Sequence, residues 1–508
     1  MLFRSMEIKI DNIPIKVRMV ALQLQANGFE AYFVGGCVRD LLIGREPHDW
    51  DITTNANPEQ IISLFPHTFY ENSYGTVGVV LDGGLADNPN NKEGIDVAKF
   101  STIVEVTPYR GEGGYSDSRH PDNVYWVKDI KKDLARRDFT CNAVALDIKD
   151  MSFIDPYSGL KDIEQGILRS VGNPDIRFNE DALRLLRLGR LSCQLDFNID
   201  AVTHESAKRN AVKIKNIAIE RIQDEFVKLL KTNEPMRGLI ALHNLDLLSH
   251  FLPELEHGIG IDQNQAHSFD VWEHNLRTLQ HAADKGWDIN LRLSALFHDI
   301  SKPETRRYSK EKKDYTFYGH DVVGGRVTRV IMERMKFPKD QIEKVSLMVR
   351  WHMFFSDTEQ ITLSAVRRLI TNVGKENIWD LVNLRICDRV GTGRPKEEPY
   401  RLRKYESMIE QALTDPVSLK QLKINGARIM DVTHEKPGRV VGLMLNALFQ
   451  EVLEDPSKNS VEYLESRALH MKALPIAELQ KLADLGKEAA EEKNEENLAN
   501  IRKEFHVK

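Results

Sequence analysis

The chain has 508 residues, 41% of them hydrophobic and 29% charged, with a formal net charge of −6. That length exceeds a single hydrophobic core and points to about three domains of ordinary soluble composition. The acidic balance excludes indiscriminate nucleic-acid binding, so an RNA partner must be held by local basic surface.

The four cysteines, Cys37, Cys141, Cys193 and Cys387, are far apart and show neither a pairing pattern nor metal spacing. Their use fits a reducing, cytoplasmic setting. The first residues, MLFRSMEIKIDNIPIK, contain no apolar signal core, and no run of about eighteen apolar residues occurs. Neither an export signal nor a membrane span is expected. Nothing in the chain specifies an oligomeric state.

In chain order, residues 7–28 read as an amphipathic helix that stops at Asn27-Gly28. An apolar strand, Tyr32 to Val34, then leads through Gly35-Gly36 into a helix from Val38 to Ile43, with Arg39 on its first turn. Two glycines at such a junction let backbone N–H groups approach a phosphate closely. Trp50 and the run Ile52-Thr53-Thr54 suit a strand, and Asp49 and Asp51 flank Trp50 at i and i+2. On a strand those positions share a face. Two carboxylates aimed at one spot repel unless a cation lies between them, and Mg²⁺ is the natural occupant where phosphate completes the shell. Alone, Gly-Gly is a plain turn and Asp-x-Asp a solvated loop. Together within about twenty residues they look like a triphosphate and metal site.

Asn57-Pro58 starts a short helix. Residues 74–82, 94–100 and 102–109 read as strands, with the polar loop GGLADNPNNKEG between the first two. The stretch 110–123, RGEGGYSDSRHPDN, has no periodicity and is expected to be mobile. From 131 the pattern turns helical, and Glu180 to Leu191, Ile217 to Leu230 and Pro235 to Leu248 carry apolar residues at three and four spacing. The chain is therefore mixed α/β to about 150 and nearly all helix beyond. No internal repeat is present. The last thirty residues, rich in Glu, Lys and Ala, read as a solvated, fraying helix.

The stretch Gly35-Gly36-Cys37-Val38-Arg39-Asp40-Leu41-Leu42 followed by Asp49-Trp50-Asp51-Ile52 resembles the signature of the class II tRNA nucleotidyltransferases. That family comprises CCA-adding enzymes and bacterial poly(A) polymerases on a polymerase-β-like head. The resemblance implies that Glu105, in Glu105-Val106-Thr107-Pro108, is a third catalytic carboxylate beside Asp49 and Asp51. Asp96 is its rival, and Pro108 stands where the family usually has a second Thr. Arg136-Arg137-Asp138-Phe139-Thr140-Cys141-Asn142 matches the family's ribose-recognition motif, which marks Arg137, Asp138 and Asn142 as nucleotide-binding. The plain alternative is a helix N-terminus with surface arginines. Glu180-Asp181-Ala182-Leu183-Arg184 continues into Arg187 and Arg190. Asp181 and Arg184, three apart on a presumed helix, would be neighbours. The resemblance makes them readers of the incoming base and gives Arg187 and Arg190 to the triphosphate; the plain reading is a surface salt bridge. Ala218 to Glu225 matches the next helix motif and reads as structural support.

Farther on, His274, the pair His298-Asp299, and Asp388 have the order of an HD phosphohydrolase domain, with His320 and His352 as further ligands. Imidazole and carboxylate together suit a divalent transition metal, Ni²⁺ or Mn²⁺. Lys302 and Arg306 are expected to meet a phosphate. The segment from 396 resembles the tail that follows such an HD domain.

The resemblance thus implies an α+β protein: a nucleotidyltransferase head (1–150), a helical neck for base recognition and RNA binding (151–260), an HD domain (261–395) and a helical tail (396–508). It implies untemplated addition of CCA to tRNA 3′ ends from CTP and ATP, with Mg²⁺ at the head. Poly(A) polymerase, or an enzyme adding only A, is the close alternative. An HD phosphohydrolase or nucleotide sensor with an inactive head is the reading from another class.

Overall fold

The computed structural model describes residues 8–70, 75–81, 103–113, 123–264, 268–354, 361–394 and 396–484. Two compact units divide the chain, Met1–Phe251 and Leu252–Lys508.

The first unit is built on a seven-stranded sheet. Its strands are β1 (Ala31–Val34), β2 (Trp50–Thr54), β3 (Thr68–Tyr70), β4 (Val77–Val80), β5 (Ile103–Pro108), β8 (Ala145–Leu146) and β9 (Phe153–Ile154), in the order β3-β4-β5-β2-β1-β8-β9. Only β2 and β5 run parallel; every other neighbouring pair is antiparallel. Between β5 and β8, β6 (Arg110–Gly113) and β7 (Asn123–Trp126) form a separate antiparallel ribbon. The expectation of an irregular stretch over 110–123 is therefore corrected at its ends, where backbone pairing supplies order that side-chain periodicity does not show. Residues 114–122 lie outside the described residues, as do the expected strand 94–100 and the rival carboxylate Asp96.

One face of the sheet carries α1 (Ile15–Ala26), α2 (Gly36–Leu42) and α3 (Pro58–Leu64), whose Val17, Val20, Leu24, Val38 and Ile61 are buried together with Phe33, Ile52 and Val106. The first helix is shorter than its sequence pattern. Residues 10–12 form a 3-10 turn, and Pro14, which takes the N-cap position, separates it from α1. Asn57 caps α3 with a complete capping box to Gln60 and Pro58 at the first turn.

Beyond the sheet come α4 (Ile130–Ala135), α5 (Gly159–Gln165), α6 (Pro174–Glu180), α7 (Leu183–Leu195), α8 (Ala201–Asn210), α9 (Ile219–Leu230) and α10 (Pro235–Asn244). A short parallel pair, β10 (Ile167–Leu168) with β11 (Asn198–Ile199), interrupts the helices. Helix α7 packs on both α9 and α10, and Gly189 makes the second contact possible. A Cβ there would lie 2.4 Å from Leu242 Cδ2.

The second unit is helical apart from one hairpin. It runs α11 (Pro253–Glu256), α12 (Val271–Asp284), α13 (Ile289–Phe297), α14 (Lys302–Thr305), the hairpin β12 (Arg307–Ser309) and β13 (Asp314–Thr316), then α15 (His320–Arg334), α16 (Lys339–Trp351), α17 (Leu363–Val373), α18 (Ile378–Gly391) and α19 (Tyr400–Leu413). The tail adds α20 (Gly426–Thr433), α21 (Arg439–Glu454) and α22 (Val461–Lys472) around Met444, Leu448 and Leu464. The expected final solvated helix falls mostly in 485–508, outside the described residues. Among the described residues no helix is long and apolar enough to cross a membrane. All four cysteines are free and buried. Burial pushes the thiols of Cys37 and Cys141 up to about 12, so both stay protonated and act as small apolar side chains.

Candidate active sites

Two constellations stand out, one in each unit. In the first, the central strand β2 begins at Trp50, whose buried indole faces Phe33 edge-on at 5.9 Å. Asp51 is thereby half-exposed on the opposite face, while Asp49 lies on the exposed bend just ahead of the strand. In the parallel pair β2–β5, Asp51 is in register with Glu105. Register partners share a face, so the two carboxylates are neighbours across the ladder. Glu105 thus has the placement a third carboxylate needs. Asp49, Asp51 and Glu105 do not converge as tightly as the histidine clusters below; among the described residues, the sets of three or more possible ligand atoms within 4.8 Å are all in the second unit.

Gly35 links this site to the rest of the head. Its φ of +79° is left-handed, and a Cβ at that position would lie 3.0 Å from Asp51 Oδ2 and 3.1 Å from an Arg137 guanidinium nitrogen. Backbone, carboxylate and guanidinium therefore meet at one point that only glycine allows. Gly35→Ala is expected to cost about 1–2 kcal/mol from the left-handed conformation and to reduce nucleotide addition at least tenfold, read from primer extension alongside thermal unfolding.

The motif residues farther along form a connected network rather than a row of free ligands. Arg39 is buried; it donates to Asn142 Oδ1 at 2.7 Å and to Asp40 Oδ1 at 2.8 and 2.9 Å. Arg39, grouped by its position with the expected triphosphate site, thus has internal partners. Its side chain folds back on the helix and spends its donors inside the protein. Asn142 in turn donates to Asp138 Oδ1 at 3.0 Å, and Arg187 donates to Asp138 Oδ2 at 2.8 Å. Burial would raise the Asp138 pKa, but Arg187 and the Asn142 amide outweigh it and hold the carboxyl well below the usual range. Asp138 raises the Arg187 pKa reciprocally, with Glu225 and Asp181 adding to the effect. Arg137 lies 3.5 Å from the fully buried Asp133, and its Nε is buried without a partner.

Asp181 and Arg184 do not share a helix. Asp181 has extended backbone (φ −145°, ψ 104°) and ends α6, so α7 starts afresh beyond it. Its carboxylate accepts from Arg221 at 2.8 Å and from the Leu183 amide. Arg184 instead bonds Glu180 at 2.9 Å and the Arg136 carbonyl at 2.9 Å. The expected i,i+3 pair is thus replaced by two separate ion pairs, because an extended residue breaks the helical spacing. Arg190 donates to the buried Glu225 at 2.7 Å. Sequence reasoning treated the α9 motif only as support. In the fold its Arg221 and Glu225 are the counter-charges of Asp181, Arg187 and Arg190. Asp133 was also missed, since nothing in its local sequence marks it as the buried anchor of Arg136 and Arg137.

In the second unit all six expected ligands come together, and all are buried. Asp299 follows His298 at the end of α13 and faces two ways. Its Oδ2 lies 3.1 Å from His274 Nε2 and 3.2 Å from His298 Nε2, with Asp388 Oδ1 3.3 Å from His274. Its Oδ1 lies 3.2 Å from His320 Nε2 and 3.5 Å from His352 Nε2. The Nδ1 atoms of His298, His320 and His352 each lie 2.6–2.8 Å from a backbone carbonyl. A carbonyl only accepts, so Nδ1 carries the proton and Nε2 presents a lone pair. The lone pairs of His320 and His352 then face one another at 3.2 Å, and neither oxygen of buried Asp299 accepts a well-aligned hydrogen bond. Such a set fits cations at its centre, with Asp299 offering one oxygen to each half.

Lys302 lines the cavity over the cluster and is already paired within it. It is buried, 2.6 Å from Asp299 Oδ2 and 2.6 Å from Gln263 Oε1. Arg306 stacks over the Tyr315 ring at 3.6 Å. A cavity of about 680 Å³ opens above the cluster, floored by Asp299, His320 and Asp388.

Three parts of the chain match known domain families. Residues 31–169 match the poly A polymerase head domain, 196–259 the probable RNA and SrmB-binding site of polymerase A, and 271–389 the HD domain. A CCA-adding enzyme of Lactobacillus helveticus is 43% identical over 44% of this chain and 52% of its own length. One from Ligilactobacillus salivarius is 43% identical over 47% and 56%. The chain thus spans about half the length of the curated relatives it matches. The crystal structure of the Bacillus stearothermophilus CCA-adding enzyme with CTP superimposes with a TM-score of 0.66 at 25% identity, over 90% of this chain and 98% of that one.

Proposed function

Because this chain belongs to the tRNA nucleotidyltransferase and poly(A) polymerase family, with the polymerase head, its RNA-binding segment and an HD domain, we propose that it adds C, C and A to tRNA 3′ ends from CTP and ATP. The observation that carries this is the register of Asp51 with Glu105 beside the Gly35 junction. It supplies carboxylates and close backbone approach at the centre of the sheet.

In the reaction the RNA 3′-oxygen forms a bond to the α-phosphorus, and the bond to the departing pyrophosphate breaks. Asp49 and Asp51, with Glu105, would hold Mg²⁺, which when bound would lower the pKa of the attacking hydroxyl and balance the leaving charge. Gly35 and Gly36 bring backbone amides to the triphosphate. Asp138, fixed by Asn142 and Arg187, accepts from a ribose hydroxyl. Arg137, whose terminal guanidinium nitrogen lies beside Gly35 and whose Nε has no partner, would meet phosphate. Arg187 and Arg190, assigned to the triphosphate, are held in place by Asp138 and Glu225. The free, buried thiols accord with work in the cytoplasm.

The deciding experiment offers tRNA lacking its last three nucleotides, or only the last, with CTP, ATP or both. Growth by three with both substrates supports CCA addition. Addition of A alone, or of long A tracts, replaces it with the A-adding or poly(A) reading.

Base choice would rest on Asp181 and Arg184. A carboxylate accepts and a guanidinium donates, which matches the amino group and ring acceptor of cytosine and adenine but mismatches uracil and guanine twice. In the fold described here each residue already has an internal partner, Arg221 or Glu180, so the nucleotide must exchange with it. Reversal of the pair, Asp181→Arg with Arg184→Asp, is expected to weaken CTP and ATP use about tenfold or more and to relax exclusion of UTP or GTP in single-nucleotide additions. Unchanged preferences would remove both residues from base reading.

The six-ligand cluster supports a second activity, hydrolysis of 2′,3′-cyclic or terminal phosphates at RNA ends, with Ni²⁺ or Mn²⁺ held by His274, His298, Asp299, Asp388, His320 and His352. The bound metal would polarise the phosphate and activate water. Hydrolysis abolished by chelator and restored by either ion is the check.

A further inference from the structure

The cavity above the histidine cluster has two unlike walls. One is the hairpin β12–β13 and its exit, which bring in Lys312, Tyr315 and Tyr318. The other, from the end of α18, brings in Arg389 and Arg394. Over 306–320 the sequence is RRYSKEKKDYTFYGH, cations interleaved with tyrosines. The bland interpretation is a solvated hairpin whose charges merely keep it soluble, and three observations oppose it.

Tyr318 stands two residues before the ligand His320, lines the cavity, and is 46% exposed. An exposed aromatic at the mouth of a metal cluster is a contact surface rather than core. Lys312 Nζ donates to the Tyr318 hydroxyl at 2.6 Å and lies 5.2 Å from the ring centroid. It therefore grips the hydroxyl end of the ring without covering its face. The hairpin behind is braced as well. Arg306 sits over Tyr315 at 3.6 Å, and Tyr308 meets Tyr315 edge-on at 5.5 Å. A ring held this firmly loses little freedom when another planar group stacks on it.

We propose that Tyr318, positioned by Lys312, is a nucleobase-stacking subsite that makes the HD cavity selective for phosphates carried by a nucleotide or an RNA end over small phosphoesters. The proposal rests on the reading of the cluster as a phosphohydrolase. Stacking on an aromatic is tolerant of base identity because every base has a π face. The subsite therefore selects for a base, not for a particular one. Arg389 and Arg394 across the cavity suit the phosphates of the adjoining backbone.

The test uses the full chain loaded with Mn²⁺ and two substrates, adenosine 2′,3′-cyclic phosphate and 1-methoxyribose 2′,3′-cyclic phosphate, which lacks the base. Tyr318→Ala is expected to raise KM for the nucleotide about tenfold, with kcat within about twofold of the parent. The base-less substrate should be unaffected, and Tyr318→Phe, which keeps the ring but loses the Lys312 bond, should restore most but not all of the nucleotide KM. Equal changes on both substrates, or a loss confined to kcat, would overturn the subsite. A turnover-free arm irradiates the full chain with 8-azidoadenosine 2′,3′-cyclic phosphate and maps the crosslink. Attachment within 307–319 supports the subsite even if no metal gives hydrolysis, in which case only the phosphohydrolase reading falls. Attachment confined to residues 31–195 rejects the subsite.

Discussion

Asp51→Asn is expected to lower nucleotide addition about a thousandfold or more, without lowering the unfolding temperature in metal-free buffer. The two halves of that expectation come from the same geometry. Asp51 and Glu105 are register partners on parallel strands, so their like charges repel, a repulsion that the Arg137 guanidinium beside Asp51 offsets only in part. An amide of equal size removes the repulsion and keeps the strand, so folding does not suffer. It also removes one anionic ligand, so the site holds divalent cations less well exactly where charge develops on the departing pyrophosphate. Incorporation of labelled ATP into tRNA lacking its terminal A, measured beside thermal unfolding with and without Mg²⁺, separates the two effects. The parent should be stabilised by Mg²⁺ more than the variant. Retention of a tenth or more of the parent rate would remove Asp51 from catalysis.

The sequence is a good guide to this head because its elements are short and bounded by strong local signals. The glycine pair before α2, the Asn57-Pro58 start of α3 and the apolar run of β1 each act within a few residues. What local spacing does not carry is the partner of each charged side chain. Arg39 looks available on paper, yet it is sealed between Asp40 and Asn142, a residue far along the chain. Asp181 looks like a helical neighbour of Arg184, but the backbone turns extended there and its carboxylate finds Arg221 on α9. Lys302 looks free beside the HD pair and is instead neutralised by Asp299 and hydrogen-bonded to Gln263. In every case the missing information is a contact between residues distant in sequence, set by how helices pack. The HD ligands were legible because their order along the chain resembles that of an HD domain, a pattern of several residues rather than of any one histidine.

Asp299→Asn should strip the second unit of transition metal and lower phosphoester hydrolysis about a thousandfold, while tRNA extension by the head persists. Asp299 is the residue both halves of the cluster share, with one oxygen toward His274 and His298 and the other toward His320 and His352. Loss of its charge therefore weakens two cation positions at once, whereas His352→Gln touches one. Metal analysis after dialysis against Mn²⁺ or Ni²⁺ should rank parent, His352→Gln and Asp299→Asn in decreasing content. Stability adds an independent readout. Asp299 also neutralises buried Lys302 at 2.6 Å, and removing one member of a buried pair typically costs about 3–5 kcal/mol. The Asn variant should thus unfold earlier, and Asp299→Asn with Lys302→Met should recover much of the loss without regaining metal. That recovery distinguishes a missing ligand from a collapsed domain. If the doubly substituted protein refolds well and still binds metal as the parent does, Asp299 is an anchor for Lys302 and the cation positions lie elsewhere.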